Sequence, residues 1–137
     1  MSDRITPVPA ELCDIYHLLR QQRRCYLVLR MATGEPPHTP HELARPIAGD
    51  VYNVSTDEVG WREYQNVLSS LHTTHIDALA DAAVVDVDPD TTQLVPGPQF
   101  GVALLLIRIG IVLWTATYPG QESASNDATT MADEKGG

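Results

Sequence analysis

Between residues 100 and 118 the chain carries Phe100, Val102, Leu104, Leu105, Leu106, Ile107, Ile109, Ile111, Val112, Leu113 and Trp114, with Arg108 as its only charge. A segment this apolar on every side needs a cover, and three covers suit it: a second copy, a bilayer or another strand. About 20 apolar residues span a bilayer, and Trp114 and Tyr118 suit its interface. Against a span stands Arg108, which costs about 2.5–3.5 kcal/mol at the membrane centre on insertion scales. No Lys or Arg lies between residues 76 and 107, so the flank offers no positive-inside signal either. The first expectation is therefore a homodimer. Val102, Leu105, Leu106, Ile109, Val112 and Leu113 would face the partner, while Gly101, Arg108 and Thr115, spaced by seven, would line a less apolar stripe. A membrane anchor over residues 100–118 is the alternative.

The rest of the chain is acidic. Eighteen Asp and Glu oppose nine Lys and Arg, for a net charge of −9. Eight of the nine cations are arginines, and Lys135 is the only lysine. Such a surface repels polyanions at low salt. It suits concentrated salt, where the Debye length shrinks to about 3 Å at 1 M, and the acidity reads as halophilic adaptation. Cys13 and Cys25 are too few for a disulfide scaffold or a zinc cluster, and are expected to be reduced and buried in a cytoplasmic protein. The N-terminus has no apolar h-region, so no signal peptide is expected.

The patterning predicts a mainly α protein with one small β-hairpin. After a flexible lead over residues 1–8, Leu12, Ile15, Tyr16 and Leu19 make an amphipathic helix over 9–20. A second helix follows over 21–31, ending near Thr33 and Gly34. Thr39 as cap, Pro40 at the first helical position and Glu42 as capping-box partner start a third. It is expected to stop near Gly49, bent or shortened by Pro46. Residues 50–57 read as a polar linker, with Ser55, Thr56 and Asp57 as caps for a long helix over 59–82. Tyr64, Val67, Leu68 and Leu71 form its apolar stripe, continued by Ile76 and Leu79. Strands over 84–88 and 91–95, around Pro89-Asp90, complete a domain over 9–96. The apolar helix at 97–119 and a disordered tail at 120–137 follow. This order of helices and hairpin is that of a winged helix-turn-helix.

Three segments carry a family likeness. They are Leu18-Leu19-Arg20-Gln21-Gln22-Arg23-Arg24-Cys25-Tyr26-Leu27-Val28-Leu29, then His41-Glu42-Leu43-Ala44, then Leu71-His72-Thr73-Thr74-His75-Ile76-Asp77-Ala78-Leu79-Ala80-Asp81-Ala82-Ala83-Val84-Val85. The chain resembles the small winged-helix domains of uncharacterised function found in haloarchaea, over roughly residues 10–96. In that family the last segment leads to the wing through leucine, acidic, alanine, glycine and valine. The resemblance implies a winged-helix fold and an archaeal transcriptional regulator, with double-stranded DNA as its partner. One departure concerns the positions before Val67-Leu68, usually basic in the family but here Gln65 and Asn66. Both amides can read an adenine edge, but neither neutralises a phosphate.

The expected DNA-contacting face is Trp61, Arg62, Gln65, Asn66, Ser69 and Thr73 on the long helix. Thr39 ahead of the third helix and Thr91 and Thr92 in the hairpin would assist. Arg20, Arg23 and Arg24, the one basic cluster, suit either contact with the DNA backbone or pairing with Glu11 and Asp14, and pairing is the first expectation. His72 and His75, with His38, His41 or Cys25, lack a third ligand at a telling spacing, so no metal is expected. His75 is instead expected to pack against the first helices through a backbone hydrogen bond. No arrangement of Ser, His, Asp or Cys suggests catalysis and no glycine-rich phosphate loop occurs. Neither enzymatic activity nor a cofactor is expected.

Overall fold

The computed structural model describes residues 3–120. The described residues divide into two compact units that part between Leu104 and Leu105. The expected disordered tail lies, from residue 121 onward, outside the described residues.

The first unit opens with α1 (Ala10–Leu18) and α2 (Gln22–Thr33), joined by a tight corner. The first turn of α2 closes that corner. Arg24 Nη1 donates to the Leu18 carbonyl at 3.4 Å, and Cys25 Sγ donates to the Leu19 carbonyl at 3.2 Å. The expectation of two buried cysteines is not met, because Cys13 is exposed and Cys25 is only partly covered. The mixed surface of α1, apolar only at Ile15 and Leu18 where it meets the core, leaves Cys13 in solvent.

Helix α3 (Pro40–Tyr52) starts as the sequence predicts, with Thr39 Oγ1 accepting the Glu42 N–H at 3.1 Å. It does not stop at Gly49. Pro46 removes one hydrogen bond, but Leu43, Ala44, Ile47 and Ala48 are buried along one face and hold the helix through to Tyr52. The end comes at Asn53, in the left-handed region at φ 58. There the Val54 N–H returns to the Gly49 carbonyl at 3.0 Å, a Schellman-type closure. A Cβ on residue 49 would sit 2.8 Å from the Val54 carbonyl oxygen, which explains the glycine.

What reads as a polar linker is thus partly helix, followed by a single 3-10 turn at Thr56–Glu58. Helix α4 (Trp61–Ser70) begins at Gly60, and Ser55, Thr56 and Asp57 do not cap it. The long helix expected over 59–82 is three pieces. After α4 comes a π turn at Leu71–His75, then α5 (Ile76–Asp81). The apolar stripe holds across the break, with Val67, Leu68, Leu71, Ile76 and Leu79 all buried. A π turn carries an extra residue, so it resets the register of the outward face without unwinding the helix.

Strands β1 (Val85–Val87) and β2 (Leu94–Pro96) pair antiparallel, with Val85 opposite Pro96 and Val87 opposite Leu94. They are shorter than expected because the connecting loop is longer. Asp88 Oδ1 accepts the Asp90 N–H at 2.8 Å, Thr92 takes φ 59, and the Asp88 N–H reaches the Gln93 carbonyl at 2.9 Å. On its other side β2 meets His38, which exchanges both backbone hydrogen bonds with Leu94 at 2.8 and 2.7 Å. The chain then crosses under the end of α5. Gly97 N–H donates to the Val84 carbonyl at 2.9 Å and Gln99 N–H to the Ala83 carbonyl at 2.8 Å. Only glycine fits at 97, because an added Cβ would strike the Ala83 carbonyl.

Helix α6 (Phe100–Thr117) starts from this crossing, with Phe100 and Ala103 buried. Beyond Leu104 its side chains are mostly exposed, with Ile107 the buried exception.

Ala83 closes α5 at φ 61, a conformation that costs an L-residue with a Cβ about 1–2 kcal/mol. The A83G variant relieves that strain but gains chain entropy when unfolded. The expected outcome, measured by denaturant unfolding, is a net stabilisation of up to about 1 kcal/mol. A destabilised A83G would contradict the strain assigned to this position.

Candidate functional site

Burial of one face of α4 decides what its other face can offer. With Val67 and Leu68 packed inward, Trp61, Arg62, Asn66 and Ser69 are exposed, and Gln65 is half-buried. Trp61 is 71% exposed, and its ring lies 5.7 Å from that of Tyr64. Thr73 is also exposed but belongs to the π turn, where its hydroxyl donates to the Ser69 carbonyl at 2.9 Å. The structure therefore brings Arg62, Asn66 and Ser69 onto one helical face and sets Thr73 beyond a change of register.

Several of these groups already have work to do. Asn66 Nδ2 donates to the Tyr52 hydroxyl at 2.7 Å, which fixes the amide and links α4 to the end of α3. The Thr39 hydroxyl serves as the α3 cap. In the hairpin loop the Thr92 hydroxyl donates to the Thr91 carbonyl at 2.6 Å, and the Thr91 hydroxyl accepts the Gln93 N–H at 3.4 Å. A partner reaching Thr39, Thr91 or Thr92 would have to share these oxygens.

The arginines turn inward or pair locally, and this departs most from the sequence reading. Arg23 and Arg24 do not pair with Glu11 or Asp14. Arg23 Nη1 donates to Ser70 Oγ at 2.9 Å, tying α2 to the last turn of α4. Arg24 is buried and its Nε donates to His75 Nδ1 at 3.0 Å. The partner of His75 is thus a side chain, not the expected backbone group. Arg20 stays on the surface, near His17. Helical periodicity alone could not find these links, because they join residues 47 and 51 positions apart.

Elsewhere Arg30 forms a two-pronged ion pair with Asp50, at 2.6 and 2.8 Å, and that hydrogen bonding raises its pKa. Arg45 donates to the Val59 carbonyl at 3.1 Å, with its guanidinium 5.0 Å above the Tyr64 ring. On the exposed face of α4 only Arg62 remains, with no partner among the described residues.

The hairpin is the acidic counterpart. Asp86, Asp88 and Asp90 are exposed and, with Pro37, Pro89 and Gln93, line an open depression of about 370 Å³. Among the described residues no cluster of three or more His, Cys, Asp or Glu could hold a metal. His41 and His72 do meet, edge to face at 6.2 Å between ring centroids, on the exposed side of α3 and the π turn. The chemistry on offer is recognition through amides, hydroxyls, one guanidinium and an indole. Phosphate neutralisation is scarce.

Residues 16–95 match the family described as a domain of unknown function, DUF7344, and the chain belongs to it. No curated protein and no solved structure matches the chain.

Counterion release gives log K a slope of about −0.9 against log salt for each phosphate neutralised on B-DNA. With Arg62 as the available cation on α4, binding to random duplex should fall with a slope no steeper than about −2. Fluorescence anisotropy across a potassium chloride series measures it, and a slope beyond about −4 would show that other cations engage the backbone.

Proposed function

We propose that this DUF7344 chain is a membrane-tethered regulatory module: an acidic body of winged-helix type that faces the cytoplasm, held at a bilayer by α6. The exposure of α6 carries this reading. Helical spacing sets Leu105, Val112 and Leu113, between 59% and 66% exposed, on one side. It sets Ile111 and Trp114, 50% and 61% exposed, on the opposite side. A helix apolar on all sides needs cover on all sides. One partner helix covers a single stripe, whereas lipid covers the whole circumference.

The dimensions agree with the anchor. Eighteen helical residues reach about 27 Å, close to the hydrocarbon thickness of about 30 Å. Only 17% of the segment is buried and its mean hydropathy is 2.0. Arg108 remains a cost, reduced if its stem snorkels toward an interface. The Gly97 and Gln99 N–H groups donate to the Val84 and Ala83 carbonyls just after α5, so the segment leading into α6 is hydrogen-bonded within the body. A body of winged-helix type is supported by the order of three helices, a turn, a fourth helix and a hairpin, and by the packing of α4 on α3.

A second reading is a DNA-binding regulator that dimerises through Val102, Leu105, Leu106, Ile109, Val112 and Leu113. The exposed run of Arg62, Asn66 and Ser69 on α4 favours it, and paired recognition helices would ask for a roughly palindromic operator.

Flotation of the purified full chain with lipid vesicles in molar potassium chloride separates the two. The anchor reading expects the chain to rise with the vesicles, and the double variant L106D/I109D to stay at the bottom. A wild-type chain that stays at the bottom as a discrete dimer and prefers its own promoter to random DNA would overturn the anchor in favour of the second reading.

A further inference from the structure

The most constrained polar contact in the body lies at neither the α4 face nor α6. Arg24 and His75 are both more than nine-tenths buried and joined by a single hydrogen bond of 3.0 Å. Its direction fixes the protonation state. A guanidinium has only protons to give, so His75 Nδ1 must accept and the ring must be the neutral tautomer with its proton on Nε2. A proton added at Nδ1 would set two donors against each other at that distance, inside the core.

We propose that Arg24 and His75 form a pH-sensitive latch, which holds the π turn to the α1–α2 corner while His75 is neutral and releases it when His75 takes a proton. The position of each partner makes the link structural. His75 is the last residue of the π turn at Leu71–His75. Arg24 also holds the Leu18 carbonyl, where α1 ends. One side chain therefore joins the corner of the first two helices to the register change that follows α4. Ser69 and Thr73, on the outward side of that region, are bonded to each other and would loosen together.

The charged surroundings all act in one direction. Burial acts first, then Arg24 and Arg23, and together they lower the His75 pKa. Both arginines come from α2, and Arg23 is held beside α4 by Ser70. On its own π turn the other titratable group, His72, is exposed and meets His41 of α3 instead. Asp77 of α5, two residues on, is exposed. Among the described residues, two cations and no carboxylate therefore act on the ring.

The sign follows from linkage. Native His75 binds fewer protons than the unfolded residue between its lowered pKa and about 6.5, so stability rises with pH through that window and is lost as pH falls through it. In the H75Q variant the side-chain amide oxygen can accept from Arg24 without titrating.

Imidazole NMR of the full chain, in mild detergent and molar potassium chloride, reads the site directly. Thermal melts between about pH 7.5 and 5, spanning the ordinary histidine pKa, read the consequence. The expected results are a His75 resonance that titrates below about 6.5 and amides of the π turn that exchange faster at acid pH. The thermal midpoint should fall more on acidification in the wild type than in H75Q. A His75 that titrates at or above about 6.5 would overturn the latch, as would an H75Q chain with the wild-type dependence on pH. If H75Q does not fold, the wild-type titration alone decides.

Discussion

Burial of the α4 stripe is the constraint on which the rest of the molecule depends. Val67 and Leu71 are wholly buried, and full burial of side chains this size is worth about 1.5–3 kcal/mol each. That packing sets the rotation of α4 against α3. It leaves Arg62, Asn66 and Ser69 outside and brings Ser70 and His75 round to the arginines of α2. The exposed face of α4 and the buried polar links are two sides of one helix orientation.

The same orientation explains how so acidic a chain uses its arginines. Arg23, Arg24, Arg30 and Arg45 are bound to a hydroxyl, an imidazole, a carboxylate and a carbonyl within the body. They brace helices, and little positive potential is left for a polyanion. With Asp86, Asp88 and Asp90 exposed on the hairpin, the body is poorly equipped for phosphate contact. This electrostatic balance, together with the exposure of α6 on every side beyond Ile107, favours a tethered module over an operator-reading dimer.

Local chemistry made much of the fold legible in the sequence. Thr39-Pro40-His41-Glu42 announced the start of α3, and the alternation in Val84-Val85-Asp86-Val87 announced β1. The apolar stripe through Val67, Leu71 and Leu79 was legible as well. Tertiary effects were not. Pro46 suggested an early end to α3, but burial of Ile47 and Ala48 outweighs one lost hydrogen bond. The π turn left no trace, because Leu71-His72-Thr73-Thr74-His75 reads equally well as α-helix. At the candidate face, the exposure of Arg62, Asn66 and Ser69 followed from periodicity. The engagement of Asn66 by Tyr52, and of Arg24 by His75, needed the fold.

Residues 100–118 could be read from composition as apolar and helical, but composition cannot say what surrounds a helix. The structure adds that Phe100 and Ala103 belong to the core of the body, while from residue 108 onward α6 is exposed on every side. Lipid is the proposed cover of α6, and sodium carbonate extraction of cell membranes tests this most directly. The chain should remain in the pellet after the high-pH wash, as an embedded helix does. Quantitative release into the supernatant would contradict the anchor and return α6 to the role of a dimerisation helix.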